Sequence, residues 1–222
     1  MGWSREMNRA GIARGKQQRG IETQAALLDA AGRVFAKMEY DKAKLKDISD
    51  EAGISLGSLY FHFGNKDDVA AAVLETQQAR MTAVLEEVRA ATVESEVDRL
   101  LMLLDRISEL MARDTLVQGG IRLVNSLPEE LQNTGFGAYA VWQSITEDML
   151  RDGVREGSVT TEMSVELLAE LVNEVYVGAQ HLSGMFDQWA SLPERIERAR
   201  PQLREMIAAK GESRRRAAAA SA

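Results

Sequence analysis

The side chains able to do chemistry are few in this sequence, and their spacing excludes more than it offers. None of the 222 residues is a cysteine, which removes thiolate zinc sites, iron–sulfur clusters, disulfides and cysteine nucleophiles. His62 and His181 are the only imidazoles. Neither stands in a Glu-x-x-His pair and no Ser/His/Asp grouping occurs, so acid–base and nucleophilic catalysis have no constellation to rest on. The acidic residues lack the spacing of a carboxylate metal cluster. No enzymatic activity, metal or cofactor is expected. What remains is suited to binding: Phe136, Tyr139 and Trp142 lie at i, i+3 and i+6 with Gln143 alongside, and Tyr176 and Gln180 share a face further on. Apolar walls with a few hydrogen-bonding groups suit a small, neutral, part-polar ligand. Aromatics at this spacing equally make ordinary core, the reading that better suits Phe136 and Tyr139.

These residues need a scaffold, and composition bounds it. At 45% hydrophobic and 27% charged the chain can bury a core, and its length suggests one ordinary domain plus a small module. The N-terminus has no apolar stretch of the secretory kind and no run of about 18 apolar residues follows, so a cytoplasmic protein without a membrane span is expected. Charge is unevenly placed. Residues 1–66 hold 11 Lys and Arg against 8 Asp and Glu, a net of +3, while the remainder carries −10. A basic first third on an acidic body is the split expected when one end meets a polyanion.

Prolines occur only at 128, 193 and 201, and apolar spacing is helical throughout, so an all-α fold is expected. Ala25, Leu28, Gly32, Phe35 and Met38 mark one face of a helix over about 21–39. Leu45, Ile48 and Ala52 mark a short second helix that Gly53 ends, since glycine alone adopts the left-handed conformation cheaply. Ser55 is placed to cap a short third helix. Longer helices are expected over about 66–90, 95–113, 115–126, 136–156, 164–187 and 194–209. The start to about residue 19, a basic arm, and the tail 211–222 are expected to be unfolded.

The block LKDISDEAGISLGSLYFHFGNK, Leu45 to Lys66, joins two short helices through Gly53-Ile54-Ser55 and makes a helix-turn-helix. Ser49 is small where the helices cross, and Ile48, Ala52, Ile54 and Leu59 are apolar where they pack. Phe61 and Phe63 are expected as a core pair, with Tyr60 outward. The run Ala25 to Leu74, with its glycine-serine turn followed by Gly-x-Leu-Tyr-x-His-Phe and Lys-Asp, resembles the N-terminal DNA-binding domain of TetR-family transcriptional regulators. Softer marks resemble the γ-butyrolactone receptor branch: YFHFGNKDDVAAAVLETQQAR, DTLVQGGIRLV at 114–124, and Trp142 before an acidic helix ending in REG.

The resemblance implies a three-helix DNA-binding domain over 20–66 and a helical ligand-binding and dimerisation domain over 67–210. It implies a homodimeric repressor that binds a palindromic double-stranded DNA operator and is released by a small-molecule effector, a γ-butyrolactone or, alternatively, a drug, lipid or other metabolite. Ser55, Leu56, Gly57, Ser58, Tyr60 and His62 would face DNA, and Lys66 would contact phosphate. Leu56 stands where the family often carries a lysine or arginine, and Ala43-Lys44 where it often carries a threonine. Lys44 and Lys46 would then restore the phosphate contacts, and the basic arm with Arg14, Lys16 and Arg19 would lie along or in the minor groove. Gln77, Trp142 and Tyr176 are implied as effector-binding residues. A twofold pair reads two half-sites where one motif reads too few base pairs. The last two helices, with Gly178, Ala179 and Gly184 permitting close approach, are implied as the interface.

Overall fold

A computed structural model describes residues 3–127 and 129–208, with side chains placed for 17–124, 126–127 and 139–208. Among the described residues there are nine helices: α1 (Trp3–Lys37), α2 (Leu45–Ala52), α3 (Leu56–His62), α4 (Lys66–Ala90), α5 (Glu96–Arg113), α6 (Thr115–Ser126), α7 (Glu129–Glu156), α8 (Val165–Asp187) and α9 (Leu192–Ile207). The fold is all-α; one isolated antiparallel bridge joins Val159 to Ala208. The chain divides into two compact units, Met1–Gln77 with Thr115–Leu127, and Gln78–Asp114 with Pro128–Ala222.

The first unit is built on α1. Its buried residues include Leu27, Ala30, Ala31, Gly32, Val34, Phe35 and Ala36, a face wider than the expected stripe, which keeps Gly32 and Phe35 of that stripe but leaves Ala25 exposed. The face is wide because α1 packs on both α2 and α6. Ile48, Leu59, Phe63, Val69 and Val73 complete the core together with Leu116, Leu123 and Leu127 of the α6 segment. That segment therefore belongs with the N-terminal helices, whereas the expected boundary fell at residue 66. The reason is a close crossing. A Cβ on Gly119 would stand 2.4 Å from the Gly32 carbonyl oxygen, and one on Gly32 would stand 2.6 Å from Leu116 Cα, so the two helices meet backbone to backbone.

α1 begins at Trp3 rather than near residue 21, so the arm expected to be unfolded is helical. Its Met, Ala, Arg, Lys and Gln residues are good helix formers, and once the core nucleates α1 each further residue needs only propagation. The expected unfolded tail lies outside the described residues.

In the second unit Leu100, Leu101, Met111, Leu150, Leu168, Val172, Ile196 and Leu203 form the interior. Ser95 and Ser164 cap α5 and α8 by accepting from Asp98 N and Leu167 N. Arg99 donates to the carbonyls of Val88, Arg89 and Ala91 at 2.7, 3.0 and 2.9 Å, closing the C-terminus of α4 with a cation. Arg200 and Arg204 of α9 pair with Asp105 and Asp98 of α5. Gly184 serves its own chain: a Cβ there would meet the indole of Trp189 at 2.9 to 3.0 Å, and Trp189 is buried.

Candidate functional site

The turn between α2 and α3 is shaped by three local devices. Asp47 Oδ2 accepts from Lys44 N at 2.8 Å, closing the first turn of α2. Gly53 ends that helix at φ 66° and ψ 24°, the left-handed region where a side chain would be strained. Ser55 Oγ accepts from Ser58 N at 3.2 Å and starts α3. Ser49 is buried where the helices meet, and Arg33 Nε reaches Glu51 at 2.6 Å to tie α1 to α2. The guanidinium hydrogen bond holds the Glu51 carboxyl below its ordinary value.

At about 100° per residue, Leu56, Gly57, Tyr60 and Phe61 fall within an arc of about 140° on α3. They are the outward face: Leu56 is 37% exposed, Tyr60 53% and Phe61 85%, whereas Leu59 is fully buried. Ser58 and His62 lie half-buried toward the core side. Phe63 packs inside as expected, but Phe61 does not. Residues 59 and 63, four apart, share a face, and position 61 between them points away. The His62 imidazole meets the Phe61 ring edge-on, with centroids 5.2 Å apart.

The lysines divide. Lys44 is exposed, and Lys46 Nζ pairs with Asp50 at 2.7 Å on the surface. Lys66, expected on phosphate, donates to Tyr40 O at 2.9 Å and Ala43 O at 3.3 Å and lies 4.0 Å over the Tyr40 ring. Two of its three donors thus close the loop before α2. The Tyr40 hydroxyl donates to Asp67, and burial together with that carboxylate pushes the phenol well above its ordinary pKa. No spacing in the sequence pairs Lys66 with carbonyls more than twenty residues away, so this role was invisible there. Side chains of Arg14 and Lys16 lie outside the described residues; Arg19 is exposed.

The three expected effector residues are not gathered in one unit. Gln77 belongs to the first, buried with its side chain where a Cβ on Gly120 would fall, 2.3 Å from Oε1. Trp142, half-buried on α7, and Tyr176, buried on α8, belong to the second. The Tyr176 hydroxyl has Ser108 Oγ at 3.4 Å and Met111 Sδ at 3.5 Å, long and weak partners for a buried phenol. Burial pushes its pKa upward. A polar network unforeseen in the sequence lies one turn beyond Trp142: Asn173 Nδ2 donates to Gln143 Oε1 at 2.7 Å and Thr146 Oγ1 to Asn173 Oδ1 at 3.2 Å. Gln143 was the one member singled out by its place beside Trp142. Tyr139 is exposed, and the Phe136 side chain lies outside the described residues. Among the described residues no helix is long and apolar enough to cross a membrane, and no acidic or histidine group is arranged to hold a metal.

A capped, glycine-turned helix pair that projects the Tyr60 phenol, with Lys44 exposed nearby, has the form of a helix-turn-helix of the kind that DNA-binding proteins carry. Residues 27–73 match the family described as bacterial regulatory proteins, tetR family, so the matched segment is similar to the N-terminal domain of those regulators. Likeness extends beyond the matched domain. The chain is 26% identical over 174 residues to the A-factor receptor protein of Streptomyces griseus, covering 76% of this chain and 57% of that protein, so it spans little more than half the length of that relative. A solved structure concerned with the control of antibiotic production by bacterial hormones aligns at 27% identity and a TM-score of 0.70, covering 85% of this chain and 99% of the other. A gamma-butyrolactone receptor described as ArpA-like shares the fold, with a TM-score of 0.61 at 23% identity over 82% of this chain and 98% of its own.

Proposed function

We propose that the protein binds a palindromic operator as a homodimer and is released from it by a small, carbonyl-bearing effector of the γ-butyrolactone kind. The observation that carries the effector half is Tyr176, a buried phenol whose present partners at 3.4 and 3.5 Å leave its donor underused. An effector carbonyl is a better acceptor than a thioether, and a neutral donor inside apolar walls selects a neutral, part-polar ligand. Trp142, on α7 of the same unit, supplies an apolar wall. Pairing is supported by α8, which leaves Val175, Val177, Leu182, Met185 and Phe186 exposed and has open space beside Gly178. A second copy of the same helix would cover that face, and two recognition helices then meet two half-sites. The basic face of Lys44 with Ser55, Gly57 and Tyr60 supplies the DNA contacts. Release follows when the effector binds better to the conformation whose half-site spacing is wrong, by no more than its differential affinity.

The test is a selection of bound duplexes from a random DNA library at about physiological salt, followed by effector titration against the enriched duplex. An inverted repeat and release by lactones, with Tyr176→Phe and Trp142→Ala weakening release about tenfold while operator affinity holds, is the expected result. A single half-site disproves the dimeric reading. Release by drugs or lipids alone disproves the lactone reading.

A further inference from the structure

Recognition of bases in the major groove draws most strongly on charged and amide side chains, Arg or Lys for guanine, Asn or Gln for adenine, Asp or Glu for cytosine, with Ser or Thr less selective; here Ser55 Oγ is engaged as the α3 cap and Ser58 is half-buried. None of the charged or amide readers occurs between Ser55 and Phe63. The nearest such groups are engaged in the fold. Asn65 Oδ1 accepts from Asp68 N at 2.9 Å, Lys66 holds two carbonyls, Asp50 is paired with Lys46 and Glu51 with Arg33. What α3 offers outward is apolar surface: Leu56, the ring of Tyr60, and Phe61, the most exposed of the three. Gly57, on the same face, has nothing within 4 Å of a Cβ position, so this side of the helix is free to approach a flat surface closely. The Phe61 ring makes an edge-on contact with His62 and otherwise stands in solvent.

We infer that the operator is read chiefly through thymine methyl groups, with Leu56 and Phe61 as the specificity-determining contacts. The C5-methyl is the one apolar feature that a base pair presents in the major groove, and it marks thymine alone among the four bases. Apolar side chains on α3 discriminate by burying that methyl and by leaving unpaired the polar edges of other bases. Lysines around the motif, such as the exposed Lys44, then contribute affinity without sequence information. The inference rests on the reading that α3 enters the major groove.

Deoxyuridine keeps every hydrogen-bonding edge of thymidine and lacks only the methyl. The enriched duplex is therefore remade with deoxyuridine in place of thymidine, one half-site position at a time, and binding is measured with the full-length protein at constant salt. Each contacted methyl is expected to contribute about fourfold in affinity, and a symmetric pair about fifteenfold. In Phe61→Ala the preference for thymidine over deoxyuridine should shrink toward unity at the position that Phe61 reads; its exposure means that the core is untouched, which circular dichroism checks. Failure to enrich any duplex removes the groove reading and this inference with it. An enriched duplex that binds equally well with deoxyuridine throughout overturns the methyl reading alone, and so does a Phe61→Ala, Leu56→Ala double variant with full thymidine preference.

Discussion

Replacing Gly119 by alanine sets two opposed effects against each other at one atom. In an unconstrained helix interior the change stabilises, by about 1 kcal/mol on helix propensity. At Gly119 the new Cβ would stand 2.4 Å from the Gly32 carbonyl oxygen, where ordinary contact begins at 3.4 Å. Helices α1 and α6 would have to part by roughly 1 Å, and both clashing partners are backbone, so no rotamer change relieves them. Such overpacking costs about 1–3 kcal/mol, and here the upper part of that range applies because Leu116 and Leu123 are drawn off the shared core with the helix. The clash wins, for a net loss of about 1–2 kcal/mol. Gly20, in α1, has nothing within 4 Å of a Cβ position, so Gly20→Ala should instead gain up to about 1 kcal/mol. In urea and thermal unfolding followed by helical circular dichroism, Gly119→Ala should lower the midpoint and Gly20→Ala raise it, each by about 2–4 °C per kcal/mol for a chain of this size. A Gly119→Ala protein that melts as late as Gly20→Ala would refute the close crossing, and with it the assignment of α6 to the first unit.

Ser55→Ala removes the acceptor for Ser58 N and should cost about 1 kcal/mol; faster amide exchange at the start of α3 reports it, and unchanged exchange would show that the cap is idle. Asp98→Ala strands the Arg204 guanidinium, whose Nη1 is already buried without a partner. Loss of a buried pair costs about 3–5 kcal/mol, which partial exposure of both side chains reduces to about 2–3. Adding Arg204→Met should restore much of it in denaturant titrations, and a single variant as stable as the parent would contradict the pairing. Tyr176 has a raised pKa in the fold because it is buried, so the unfolded chain releases that proton first. Stability is intact below the ordinary phenol value of about 10 and falls as pH rises beyond it. Tyr176→Phe should push alkaline unfolding to higher pH. A phenolate spectrum that develops fully in the folded protein near that ordinary value would count against burial.

The helix-turn-helix was legible in the sequence because everything that shapes it is local. Gly53 is left-handed and Ser55 is a cap whatever surrounds them, and the four-residue step from Leu59 to Phe63 defines an inner face without reference to any partner. Phe61 was misplaced although the same step was available, because an aromatic two positions from each of Leu59 and Phe63 looks apolar in composition while its angle on a seven-residue helix turns it outward. Its exposure is what the methyl reading rests on.

Residue chemistry and helical period along the chain determined that the protein is all-α and that it opens with a DNA-binding motif, since caps, turns and amphipathic spacing act over four residues or fewer. Partnership across long separations was decided only when the chain folded. Lys66 joins loop carbonyls 23 and 26 residues away, α6 returns to α1 through Gly32 and Gly119, and Gly184 makes room for Trp189. A lysine or a glycine is compatible with many neighbours, and close packing in three dimensions selects which one it meets.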